Sequence, residues 1–166
     1  MEKNFAFIDT QNVNLSVRDQ WWKLDRKAFR IYLQEKYHID KAYLFIGYIH
    51  DNQLMYTFFQ TCGYILIFKP VLSLKDGTTK WNVDAELVLQ SMIDYKKYDR
   101  AIIVTGDSDF SCLVKYLYDQ KKLLKLIVPN KHKYSLFLKK TAKEKIDNLT
   151  NLEEKLSFNQ KKGPTT

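Results

Sequence analysis

A chain of 166 residues has the length of one domain and leaves no room for two independent catalytic lobes. With 45% hydrophobic and 14% aromatic residues, and only 5 Gly and 3 Pro, it carries the material of a packed core, which excludes a disordered or collagen-like chain. Lys and Arg number 27 against 19 Asp and Glu, and the formal charge of +8 suits a polyanionic partner: nucleic acid first, an anionic membrane surface second.

The chain opens with Met1-Glu2-Lys3-Asn4 and runs at once into an apolar segment, so no signal peptide is visible. No apolar run approaches the roughly 18 residues of a spanning helix, and no membrane association is expected. Strands are predicted at Asn4 to Asp9, Lys41 to Gly47, Tyr64 to Lys69, Arg100 to Thr105 and Leu123 to Val128, nearly continuous apolar runs of the kind buried on both faces. Helical periodicity falls between them. It covers Asp25 to Tyr37, capped by Asp25; Asp51 to Cys62, capped by Asp51 and stopped by Gly63; Asn82 to Lys96; and Ser108 to Lys121. A further helix at Ser135 to Lys143 and a last edge strand at Ile146 to Leu149 close the domain, at residues 1–156. The segment 157–166 lacks apolar periodicity and is expected to be a disordered tail. Cys62 and Cys112 sit in apolar periodic segments, which points to core thiols and a reducing cytoplasm rather than a disulfide framework.

Alternation of strand and helix predicts an α/β fold, a mostly parallel sheet with helices on both faces. Ligands of such sheets gather beyond the carboxyl ends of the strands. Asp9 ends the first strand, with Asn12 in the following loop; Thr105 and Asp107 end the fourth, followed by Ser108 and Asp109; Asp84 opens the helix after the third. Four aspartates from three segments thus meet on one rim, where their mutual repulsion calls for a hard divalent cation, Mg²⁺ or Mn²⁺. Asp84, Asp107 and Asp109 also read as helix caps and first-turn acids. Asp9, with no evident helix to cap, favours the metal. Other phosphate chemistries lack their marks: there is no G-x-G-x-x-G, Walker-type or G-x-S-x-G motif, and His38, His50 and His132 lack zinc-ligand spacing.

Phe7-Ile8-Asp9 with Asn12, Lys80 with Val83-Asp84, and Thr105-Gly106-Asp107-Ser108-Asp109-Phe110 together resemble the NYN family of PIN-like nuclease domains, which includes the LabA-like proteins. Ser135 and Leu138 resemble a weaker terminal pattern, so the resemblance covers roughly residues 4 to 150. It implies a Rossmann-like α/β/α sandwich that binds Mg²⁺ or Mn²⁺ through Asp9, Asp84, Asp107 and Asp109, with Asn12 a polar neighbour, and hydrolyses phosphodiesters, usually in RNA. The chain departs from the family pattern at Gln90 and Glu144, where many members carry Asp, and the neutral Gln90 leaves open whether one metal or two is held. Lys80 is a candidate contact to a non-bridging phosphate oxygen.

Between Lys121 and Lys145 the sole acid is Glu144, while Lys131, Lys133, Lys139, Lys140 and Lys143 are among nine lysines that would form a phosphate track. The loop after the first strand carries Arg18, Trp21, Trp22 and Lys23 on the expected rim, where an aromatic ring would stack on an unpaired base. The leading expectation is a metal-dependent endoribonuclease of single-stranded or unpaired RNA. An RNA-binding or protein-interaction module with weak catalysis, and a structure-specific DNA nuclease, remain as alternatives.

Overall fold

The computed structural model describes residues 2–73, 75, 77 and 79–158. The first strand, β1 (Asn4–Asp9), is buried along its whole length. Its side chains alternate between two cores: Phe5 and Phe7 enter one, Ala6 and Ile8 the other. The chain continues through α1 (Thr10–Arg18), α2 (Arg26–Tyr37), β2 (Ile39–Tyr48), α3 (Gln53–Thr61) and β3 (Tyr64–Pro70). After a two-stranded antiparallel ribbon, β4 (Leu72–Ser73) with β5 (Thr79–Lys80), come α4 (Asp84–Ile93), β6 (Arg100–Val104), α5 (Ser111–Asp119), β7 (Leu123–Val128), α6 (Leu136–Ala142), β8 (Ile146–Asn148) and α7 (Glu153–Leu156).

The central sheet is six-stranded and parallel throughout, in the order β3-β2-β1-β6-β7-β8. One core joins Ile8, Leu44 and Val104 to α1, α2, α3 and α7 through Val13, Leu33, Phe59 and Leu156. The other joins Phe7, Phe45 and Ile103 to α4, α5 and α6 through Leu87, Val114 and Leu138. This is the three-layer α/β/α sandwich expected from the alternation. No described helix is long and apolar enough to cross a membrane.

Several local expectations are corrected. The segment after β1 is the helix α1, not a loop, and Asp9 is its N-cap, accepting from the Asn12 amide at 3.3 Å. Asp51 caps no helix by its side chain: it lies in a 3₁₀ turn, His50–Asn52, ahead of α3. Helix α5 begins at Ser111, preceded by a 3₁₀ turn, Ser108–Phe110. Cys112 is exposed rather than core, and both cysteines are free thiols. Of the expected tail, Ser157 bridges to Leu24 and the Phe158 amide donates to the Lys23 carbonyl at 2.8 Å, so the fold includes both residues; 159–166 lie outside the described residues.

Candidate active site

Strand order reverses beside β1: the chain builds outward through β2 and β3, then returns to lay β6 on the other side of β1. The carboxyl ends of β1 and β6 therefore flank the crevice in which doubly wound sheets hold ligands. Asp9 keeps the parity of Phe5 and Phe7, which directs it to the face covered by α4 and α5. The residue is 5% exposed, and its carboxylate accepts the Thr105 hydroxyl at 3.1 Å in addition to the Asn12 amide. The Thr105 oxygen in turn accepts the Asp107 amide at 3.1 Å. One hydroxyl thus couples the end of β1 to the turn after β6.

Asn12 closes the same junction from the other side. Its Oδ1 accepts the Gly106 amide at 2.8 Å, and the Gly106 carbonyl accepts the Ser135 amide at 3.2 Å. A Cβ on Gly106 would lie 3.4 Å from Tyr134 Cβ and 3.5 Å from Asn12 Oδ1, ordinary contact distances, so the junction is packed without a clash at this position. Ser135 caps α6, accepting from the Phe137 amide, and so fastens α6 to the rim.

Asp84, Asp107 and Asp109 meet across this crevice, each offering a carboxylate oxygen within 4.8 Å of the others. Helix α4 delivers Asp84 at its first residue, where the Asn82 side chain accepts the Asp84 amide at 2.8 Å. Asp107 caps the 3₁₀ turn by accepting the Asp109 amide at 2.9 Å, so the capping and clustering roles coexist. Burial raises the pKa of Asp84 above the ordinary carboxylate range; the Asn82 contact opposes this, while the charges of Asp107 and Asp109 add to it. Asp9 is not one of the three. Burial pushes its pKa up to about 6, against its bonds to Asn12 and Thr105, with further upward pressure from Asp84 and Asp107. None of the four is in an ion pair with a described Lys or Arg. An uncompensated set of carboxylate oxygens fits a hard divalent cation and poorly fits a soft one.

The remaining candidates separate. Ser108 is exposed on the turn; Lys80 lies in β5, and its side chain is outside what the structure describes. Trp22 is buried in a core, whereas Trp21, at φ +66°, is 95% exposed. Arg18 is exposed in the last turn of α1, and Lys23 lies over the Phe158 ring at 5.2 Å. Lys131 reaches Asn151 at 3.0 Å and Lys133 reaches Asp19 at 3.7 Å; Lys139 and Lys140 are exposed on α6, and Lys143 covers the Tyr118 ring. Gln90 donates to Asp94 at 2.9 Å, and Glu144 accepts from Tyr118, so neither belongs to the acidic group. Asn82, expected to open α4, lies just ahead of it, and its side chain holds the Asp84 amide instead of capping the helix.

The family model for the NYN domain matches residues 5–149. No curated protein matches the chain. Among solved structures, the chain is similar to a protein of unknown function from Vibrio parahaemolyticus RIMD 2210633, with a TM-score of 0.76 at 21% identity over 95% of this chain and 96% of that one, a likeness of fold.

Proposed function

The chain belongs to the NYN domain family, and from that premise we propose that it is a metal-dependent endoribonuclease that hydrolyses phosphodiester bonds in single-stranded or unpaired RNA. The observation that carries this reading is the meeting of Asp84, Asp107 and Asp109 at the crevice where the strand order reverses. These three would hold Mg²⁺ or Mn²⁺, which when bound supplies charge for the scissile phosphate and a more acidic water. Asp109, the most exposed of the three, orients the attacking water. Asp9 is a positioning residue: through Thr105 it fixes the Asp107 amide, and so the turn that carries two of the three ligands. In-line attack leaves a 5′-phosphate and a 3′-hydroxyl. Exposed Lys139 and Lys140 on α6, which is tied to the rim through Ser135, offer phosphate contacts. Two free cysteines accord with action in the cytoplasm.

The test is incubation of labelled single-stranded RNA, duplex RNA and single-stranded DNA with Mg²⁺, Mn²⁺ or EDTA, beside an Asp107→Asn variant purified identically. The expected result is cleavage of single-stranded RNA that is lost in EDTA and in the variant. Equal cleavage by both proteins would trace the activity to a contaminant, and RNA binding without cleavage would leave a binding module. Preferential cleavage of DNA would reassign the substrate.

A further inference from the structure

Away from the acidic group lies a groove of about 720 Å³ between the last turn of α1, the segment leading into α2, and α3. Its walls are apolar and open to solvent: Leu54 is 88% and Phe58 46% exposed, with Met55 and Phe158 beside them. Its polar complement is basic. Arg18 and Lys23 line it, and so does Arg26, which is 5% exposed and in no ion pair among the described residues. Arg26 Nη2 donates to Asn14 Oδ1 at 2.5 Å, while its Nη1 is buried with no partner. The one acid in the lining, Asp25, is occupied in capping α2, accepting the Lys27 and Ala28 amides. A buried guanidinium without a counter-charge is costly, and an anion brought to the groove offsets that cost.

We propose that this groove receives an unpaired nucleotide of the RNA substrate, its base against Phe58 and Phe158 and its phosphates beside Arg18, Lys23 and Arg26. The inference rests on the nuclease reading and adds how the substrate is held. Aromatic walls accept any base by stacking, and cations on the same rim neutralise the backbone. The Asn14 amide nitrogen makes no hydrogen bond among the described residues and is free to meet a base edge. Helix α1 links the two regions in the chain: it starts directly after Asp9 and carries Asn14, which lines the groove, about 7 Å further along its axis. A base is available to such a groove only when unpaired, so the groove makes the protein selective for single strands.

The experiment measures binding of a fluorescein-labelled single-stranded RNA decamer, and of the same sequence as a duplex, in EDTA, where no hydrolysis occurs. Wild type is compared with Phe58→Ala, Arg18→Ala and Leu54→Glu, all at partly or fully exposed positions whose folding is checked by circular dichroism. Phe58→Ala is expected to weaken single-strand binding about tenfold, the effect of losing one stacked base, with duplex binding unchanged. Leu54→Glu, which sets a negative charge in the groove, weakens it as well, and Arg18→Ala lowers the salt slope by about 0.7. Single-strand affinity unchanged in all three variants overturns the proposal and leaves the groove to another occupant, such as an acidic peptide. Hydrolysis of bis(p-nitrophenyl) phosphate by the wild-type protein with Mn²⁺, a substrate without a base, tests the acidic site separately. Its absence together with groove-dependent RNA binding would remove the nuclease reading and sustain the groove.

Discussion

Asp9 is a carboxylate with two hydrogen bonds, little water and two acidic neighbours, and its pKa of about 6 stands well above the ordinary 3.8. Because the folded state holds the proton more tightly than the unfolded chain, stability falls as pH rises from about 4 to 6 and the full cost is present above that window. That rise corresponds to about 3 kcal/mol. Asp9→Asn removes the charge but leaves one acceptor oxygen where the carboxylate has two, so one of its bonds is lost and a net gain of about 1 kcal/mol is expected at pH 7.5 in EDTA, shrinking to nothing or reversing at pH 4. Urea denaturation of both proteins across this range checks it; a variant less stable than wild type at pH 7.5 would show that the bonds outweigh the desolvation. Asn12 poses the opposite case. Its side chain ties α1 to Gly106, and Asn12→Ala leaves that amide without its acceptor. The expected loss is about 1–2 kcal/mol, read from thermal melts, together with weaker Mn²⁺ affinity because the turn carrying Asp107 and Asp109 is freed.

At the scale of elements, the segment between β5 and α4 is held from below by β2. A Cβ on Gly47 would lie 2.5 Å from Trp81 Cδ2 and 2.7 Å from Val71 Cγ2, and Trp81 precedes Asp84 by three residues. Gly47→Ala is therefore expected to cost about 1–3 kcal/mol and to weaken Mn²⁺ binding by shifting Asp84, as measured by melting and by metal titration. A variant of wild-type metal affinity would show that the indole moves independently of the helix start. The long strands were legible in the sequence because buried parallel strands are continuous apolar runs, and β1 and β7 fall where those runs lie. Helix α1 was not. Thr10, Asn12, Asn14 and Ser16 are weak helix formers, only Thr10, Val13 and Val17 are buried, and tertiary packing with the Asp9 cap overrides local propensity. The rim aspartates were legible as strand ends and helix starts, but which of them touch was not. Asp9 differs from the other three through its burial and its bond to Thr105 across 96 residues, which no local pattern records.

Across the whole molecule, the +8 charge is less available than the sequence implies. Lys122 is consumed by the carbonyls of Tyr95 and Tyr98, Lys145 by that of Leu123, and Lys125 by Asp147. Lys139 and Lys140 remain exposed and outside every described ion pair. Replacing both with Ala should lower the slope of log affinity against log salt by about 1.4 for single-stranded RNA, with little dependence on sequence. An unchanged slope would return them to a merely solvated face. The placement of β1 between β2 and β6 also has a temporal side. As the chain leaves the ribosome, β1, α4 and the turn after β6 emerge in that order, and the acidic group does not exist until β6 has docked on β1, some hundred residues later. Until then one flank of β1 is an unpaired edge bearing Phe5 and Phe7 beside it. A ribosome stalled before Arg100 thus holds a chain that lacks its acidic group and is prone to aggregate, and the site is assembled only as β6 completes the pairing of β1.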